Sequence, residues 1–516
     1  MKRAEIVFAT LGLSLLAWGS AWIHSGRGPM RDVALAGGPA CPAAPVRILE
    51  PAGTQRGSVV IFHGLSANRI VMLTNGQQFA AAGFRVFLPD MPGHGDDIAA
   101  FSFAAYESCA SGLLATLQRR GDINPQRTVL FGHSLGAALV VRLADDFRAA
   151  GTIAVATAPL IPPHGIPVNL LLVAPQFDMP RVLSTESHLA AAAGSERAAP
   201  EDFRQLRAFH ILSVPGTSHT SALFDPSADR AMLRWALNAV GAVSAPVPTL
   251  DYRSFIGAFL GLLGIIFLFP ATASMVARLA GLHGTCNASP PPAPVLSILS
   301  WITTLIPAAL IAARWALLAA LHIYSADYLV SVLLFAGIPL AIGYAILELR
   351  SPASRRTGSE QPAHRPFAAA LVGAIVGLLT VAAAGAWLNL QITEFWPIPA
   401  RWARLPLLFL AILPIAIAEE LALGDSVSLS RTGRAGRIGL FVLLRGFVWV
   451  VILGAWLSGV ASALLATIFV VFLGLLSVAQ RLGADALRHR IGSALAGAVF
   501  NAILGAWFLA AAFPLA

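Results

Sequence analysis

The chain has 516 residues, 57% of them hydrophobic and only 12% charged. Soluble domains carry about 25% charged residues, so a chain lying wholly in water is excluded and part of this one must sit in lipid. The net charge is +9, yet 34 of the 35 basic residues are arginine and none forms a concentrated basic stripe, which argues against a nucleic-acid partner.

Residues 4–22 form an apolar run behind Met1-Lys2-Arg3. Such a segment is a cleaved signal peptide or an uncleaved anchor. Its length and the lack of a small-residue cleavage site favour an anchor over 1–23. A stretch rich in Gly, Pro and Ala follows, read as a linker over 24–44.

From residue 45 strands and helices alternate. Residues 58–62 read as a buried strand ending in His63-Gly64-Leu65, and residues 69–82 as a helix. Residues 84–90 read as a strand running into Met91-Pro92-Gly93-His94-Gly95, and residues 99–120 as a second helix. The apolar run 128–131 then leads into Gly132-His133-Ser134-Leu135-Gly136 and a helical stretch from Ala137. Alternation of this kind implies a parallel sheet with right-handed crossovers. The glycines beside Ser134 allow a turn tight enough to expose its hydroxyl. Further strands are read at 151–156, 169–174 and 210–214. Asp178 stands just past the second of these, and His219 just past the third.

Three motifs in this order resemble those of the α/β-hydrolase superfamily: His63-Gly64, Asp90-Met91-Pro92-Gly93-His94-Gly95, and Gly132-His133-Ser134-Leu135-Gly136. The resemblance covers residues 45–242. It implies a mostly parallel sheet flanked by helices, with a nucleophile, an acid and a base in that chain order. Ser134 matches the nucleophile, Asp178 the acid and His219 the base. Asp202 and Asp225 are rivals for the acid, although Asp225 follows His219 and breaks the order. His63, His94 and His133 read as loop-shaping residues. The resemblance also implies two backbone oxyanion donors, Leu135 and about Leu65. Many relatives insert a helical cap before the acid. Here only 159–167 is available, with four prolines, so no sizeable lid is expected. No metal or organic cofactor is implied.

A linker over 243–253 leads to a membrane domain over 254–516. Apolar stretches near the roughly 20 residues that a bilayer requires occur at 255–274, 295–317, 328–347, 367–388, 405–423, 438–457, 461–478 and 491–513. Pro307 and Arg314 weaken the second. With the N-terminal segment this makes nine. Arginines fall in alternate loops: Arg350, Arg355, Arg356 and Arg365; Arg431, Arg434 and Arg437; Arg481, Arg488 and Arg490. The positive-inside rule puts these and Met1 in the cytoplasm, and residues 24–253 outside. In a Gram-negative bacterium that is the periplasm. Cys41 and Cys109 then lie outside and are able to pair, Cys286 stands alone, and the three fit no metal spacing.

Glu419 and Glu420 lie near the end of one apolar stretch and Arg445 lies inside the next. Charges in lipid need a partner or a cavity, and a Glu–Arg pair between the two helices is expected. The diglutamate resembles that of the CAAX-protease-like intramembrane family. That family's pattern expects an arginine where Gly424 stands and histidines on later helices, which are missing; Asn501 is the sole echo.

The expected protein is a membrane-bound serine hydrolase acting on a carboxylic ester, a small acyl compound or a lipid, with the bilayer as its other partner. The competing class is a multi-span transporter or scaffold whose outer domain keeps the fold without the activity.

Overall fold

The computed structural model describes residues 3–25, 28–159, 165–282, 293–315, 322–350, 365–396, 398–424, 431–463, 465–466 and 469–516. Cys286, Pro162, Pro163, Arg355, Arg356 and most of the Pro-rich loops around 289–294 and 350–366 lie outside the described residues. The chain divides into two compact units. One is Gly19–Phe259 with Leu388–Glu394 and Pro514–Ala516; the other is Met1–Trp18, Leu260–Trp387 and Phe395–Phe513.

The first unit is built on eight strands: β1 (Met30–Leu35), β2 (Ala44–Leu49), β3 (Gly57–Phe62), β4 (Phe84–Pro89), β5 (Thr128–His133), β6 (Gly151–Val155), β7 (Leu170–Phe177) and β8 (Phe209–Ser218). Their order across the sheet is β1-β2-β4-β3-β5-β6-β7-β8. β2 pairs antiparallel with β1 and β4, and every other pairing is parallel. Every residue of β3, β5 and β6 is buried. That is why these strands read as unbroken apolar runs: helices cover both faces of a parallel sheet.

The crossovers are α2 (Leu73–Ala81), α3 (Phe103–Arg119), α4 (Leu135–Phe147), α5 (Pro180–Ala193), α6 (Pro200–Arg204) and α7 (Pro226–Ala239). Local chemistry sets several of their starts. Ser102 accepts the Ala105 N–H at the head of α3. Asp225 accepts the Ser227 and Ala228 N–H groups ahead of α7, with Pro226 at its first position. These devices satisfy N–H groups that have no partner inside the helix.

The stretch read as a linker over 24–44 is more ordered than its composition suggests. It contains β1, an edge strand with its outer residues exposed. It also contains Cys41, which forms a disulfide with Cys109 of α3. A half-exposed edge strand has no continuous apolar pattern, so composition alone hid it.

In the second unit the helices are long and apolar. Together with the N-terminal one, nine helices among the described residues are long and apolar enough to cross a membrane: Arg3–Ser25, Arg253–Leu279, Pro294–Arg314, Ala326–Arg350, Pro366–Gln391, Pro399–Leu423, Ala435–Leu457, Val470–Ile491 and Ala494–Ala512. The stretch expected over 461–478 is displaced: the helix runs from Val470 to Ile491. Arg481, Arg488 and Arg490 therefore lie on a helix and not in a loop, as do Arg431, Arg434 and Arg437, which fall in the helix Arg431–Leu457. Arg481 and Arg488 stay within the Val470–Ile491 helix because each reaches the buried Glu420, at 2.7 and 3.1 Å. Asn501 donates to Glu420 as well, at 3.3 Å. Glu419 pairs with Arg445 at 2.6 Å, the interhelical pair expected from the sequence. Gly12 and Gly264 meet backbone to backbone, since a Cβ on either would lie within 2.8 Å of the other's carbonyl oxygen. Small residues allow that close approach of apolar helices.

Candidate active site

β5 ends at His133 and α4 begins at Leu135, which leaves Ser134 alone in the turn. Ser134 has φ 55° and ψ −113°. A residue other than glycine in this region is strained. The strain is held because the turn has no room to relax. A Cβ on Gly132 would strike the Gly136 backbone, and one on Gly136 would strike the Phe62 carbonyl. The Ser134 N–H donates to the Val155 carbonyl at 2.9 Å.

Asp178 follows β7 directly and His219 follows β8 directly. Both fall at the carboxyl ends of parallel strands, the edge where open α/β sheets place their sites. The structure brings them to Ser134. His219 Nε2 lies 2.9 Å from Ser134 Oγ. On the other side of the ring, Nδ1 lies 2.8 and 3.0 Å from the two Asp178 carboxylate oxygens. A carboxylate only accepts, so Nδ1 carries the proton and Nε2 is free to accept the Ser134 hydroxyl. Asp178 Oδ1 also accepts the Met179 N–H at 2.6 Å, and the Asp178 side chain is fully buried. The rival acids are engaged elsewhere. Asp202 binds Arg207 and the Ala199 N–H, and Asp225 caps α7.

Leu135 is the first residue of α4. Leu65 follows Gly64, and a Cβ on Gly64 would lie 3.0 Å from the Ser134 Cβ, so this loop and the Ser134 turn are in contact. The remaining histidines hold loops. His63 Nε2 accepts the Met91 N–H at 3.1 Å. His133 donates to the His219 carbonyl at 2.9 Å, and burial depresses its pKa to about 3, so the ring stays neutral beside the nucleophile. His94 Nδ1 lies 2.8 Å from the Pro92 carbonyl.

Two features escaped the sequence. Glu186 on α5 is buried, and Oε1 accepts the Thr157 N–H at 3.2 Å. Burial, reinforced by the charge of Asp178, pushes its pKa up to about 8. The second is an ion cluster. Arg69 donates to Asp90, to Asp96 at 2.8 Å and to Glu394 at 2.8 Å. Oxygens of these three carboxyls lie within 4.8 Å of one another, a spacing that suits a hard cation. Here the guanidinium already supplies the positive charge. A lone Arg in the loop after His63 and a lone acid between two apolar stretches were the only sequence signals.

Residues 53–192 match the family model for serine aminopeptidase, S33. The first unit has the α/β-hydrolase fold. Among solved structures, a Thermus thermophilus protein is 19% identical, with a TM-score of 0.31 over 41% of this chain and 98% of that one. An α/β serine hydrolase without a lid from Xanthomonas campestris is 16% identical, with a TM-score of 0.32 over 41% and 94%. A fluorophosphonate-binding serine hydrolase of Staphylococcus aureus is 13% identical, with a TM-score of 0.30 over 40% and 98%. None of the curated proteins matches the chain. Between β6 and β7 of the α/β-hydrolase unit, no helix occurs among the described residues, so no lid is evident.

Proposed function

We propose that this chain is a membrane-bound serine hydrolase that cleaves a carboxylic ester on the extracytoplasmic side. The reading is carried by the hydrogen-bonded chain Ser134–His219–Asp178, with distances of 2.9 and 2.8 Å. Ser134 Oγ attacks the acyl carbon as His219 Nε2 takes its proton. Asp178 fixes the ring's tautomer and stabilises the imidazolium. The Leu65 and Leu135 N–H groups receive the oxyanion. His219 then protonates the leaving alkoxide, and water repeats the sequence to release the acid.

Asp178 is committed to His219 and so is unavailable to pair a substrate's α-amino group, which favours an ester over an amino-terminal peptide. The disulfide between Cys41 and Cys109 supports an oxidising compartment for this unit. The Gly12–Gly264 approach supports an N-terminal helix that is retained.

The test is Ser134→Ala in full-length protein in isolated membranes. Wild-type protein is expected to bind a fluorophosphonate probe and to turn over p-nitrophenyl esters, while aminoacyl p-nitroanilides stay intact. The variant is expected to lose labelling and turnover with unchanged expression. Ester turnover at the wild-type rate in Ser134→Ala would sink the assignment.

A further inference from the structure

The loop that follows β3 runs from His63 to Arg69 and carries the Leu65 N–H. Its backbone is strained: Ser66 has φ 63°. A non-glycine residue persists in that region only where its surroundings hold it. His63 holds its start through the Met91 N–H at 3.1 Å, and Asn68 and Arg69, both buried, hold its far end. Asn68 Oδ1 accepts the Ile70 N–H at 3.1 Å and turns the chain toward α2. The Arg69 N–H donates to Asp90 Oδ1 at 2.7 Å, and its side chain reaches Asp90 again.

The other half of this framework comes from far along the sequence. Residues 388–394, the last turn of the apolar helix Pro366–Gln391 and the start of the link to Pro399–Leu423, belong to the same compact unit as the loop. Asn68 Nδ2 donates to Thr393 Oγ1 at 3.0 Å. The Glu394 N–H donates to Asn68 Oδ1 at 3.2 Å. Arg69 Nη2 donates to Glu394 Oε1 at 2.8 Å, and the Glu394 side chain is only 4% exposed. Gln391 adds a bond to Thr74 at 3.3 Å and one to Gln77 at 2.9 Å, both at the start of α2. Thus both residues that anchor the far end of the strained loop are themselves gripped by Thr393 and Glu394.

We propose that Thr393 and Glu394 are positioning residues for the reaction: by clamping Asn68 and Arg69 they hold the Leu65 N–H where the oxyanion forms. The inference rests on the hydrolase reading given above. It assigns the segment between two apolar helices a part in catalysis and not in anchoring alone.

The test uses full-length protein in detergent, with Glu394→Ala and the milder Thr393→Val. Amide hydrogen exchange over 64–70 is expected to speed up in both. In Glu394→Ala, kcat for a p-nitrophenyl ester is expected to fall about tenfold or more, bounded by the roughly 10²–10³ that loss of one oxyanion donor costs. KM should stay within about twofold, on the order expected when only the transition state is affected. Affinity for a trifluoromethyl ketone, whose adduct places an oxyanion in the same position, should fall in step with kcat/KM. Unchanged exchange over 64–70 would overturn the clamp. Faster exchange with unchanged kcat and inhibitor affinity would overturn the positioning role. In both cases the hydrolase reading stands. If instead wild-type protein neither hydrolyses an ester nor labels at Ser134, it is the hydrolase reading that fails, and this inference with it.

Discussion

Asp178→Asn tests the reasoning most sharply, because the substitution changes almost nothing except the direction of one hydrogen bond. In the wild-type site the His219 Nδ1 proton lies 2.8 Å from Oδ1 and 3.0 Å from Oδ2. Oδ1 is also fixed by the Met179 N–H at 2.6 Å. An asparagine at this position keeps its oxygen toward Met179, since a backbone N–H needs an acceptor. Its NH2 group then takes the place of Oδ2 and faces Nδ1. Two donors cannot share that space, so the ring moves its proton to Nε2. Nε2 now donates to Ser134 and no longer accepts, and the serine has no base. A tautomer error of this kind lowers kcat by about 10⁴ in the best-studied triad, which corresponds to about 5.5 kcal/mol at 1.36 kcal/mol per tenfold. The assay is kcat for p-nitrophenyl butyrate with full-length protein, read against the Ser134→Ala background. The melting temperature should hold, because the buried volume and the Met179 bond survive. A loss of less than about tenfold would show that Asp178 does not orient His219. Asp202 would then be tested next, although its bonds to Arg207 and Ala199 leave it poorly placed.

Three other outcomes are expected. Reducing the Cys41–Cys109 bond, or replacing Cys41 with Ser, opens a loop of 68 residues; chain-entropy arithmetic gives a loss of about 4 kcal/mol, readable as a lower melting temperature under dithiothreitol. Glu186 has its folded pKa raised to about 8, so the stability it contributes is full below its ordinary carboxyl range and drains away as pH rises toward and through 8. Glu186→Gln should therefore raise the melting temperature at about pH 9 and leave it unmoved near pH 5; a gain at the acidic end alone would reverse the sign and refute the assignment. A reporter enzyme active only outside the cytoplasm should work when fused after Gly241 and stay silent after Arg356. The reverse pattern would put the hydrolase unit in the cytoplasm.

The nucleophile turn was legible in the sequence because its constraints are local. Two glycines next to a serine, between an apolar run and a helix, leave few other conformations. Asp178 and His219 were legible for a related reason: each is the first suitable side chain past a strand, and strand ends converge at one edge of a parallel sheet. Glu186 was not legible. It sits in a helix whose pattern gives no sign that one face closes over the carboxyl end of β6, so its burial depends on packing alone. Edge strand β1 was missed because an edge buries only part of its surface. The clamp of Thr393 and Glu394 on Asn68 and Arg69 spans more than three hundred residues, and no spacing rule reaches that far. The Glu419–Arg445 pair could be foreseen from neighbouring helices, whereas the attachment of Glu420 to Arg481 and Arg488 depended on how far the Val470–Ile491 helix extends.

The membership of residues 388–394 in the hydrolase unit also sets a timetable for biogenesis. Strands β1 to β8 are all made by the time synthesis reaches the helix starting at Arg253. The last partners of Asn68 and Arg69 arrive with Thr393 and Glu394. At roughly 5–20 residues per second, the unit waits about seven to thirty seconds for residues 388–394, and longer for Pro514–Ala516. During that interval the sheet is assembled and the loop beside Ser134 is held at His63 by Met91 and at Arg69 by Asp90 and Asp96, without Thr393 and Glu394. If the unit acts as the hydrolase proposed, its loop is completed only when the Pro366–Gln391 helix brings Glu394 to Arg69. On that proposal, a copy in which the helix is misplaced would carry the Ser134–His219–Asp178 chain beside a loop lacking two of its partners, and its loss of turnover would report the fault without a separate quality-control step.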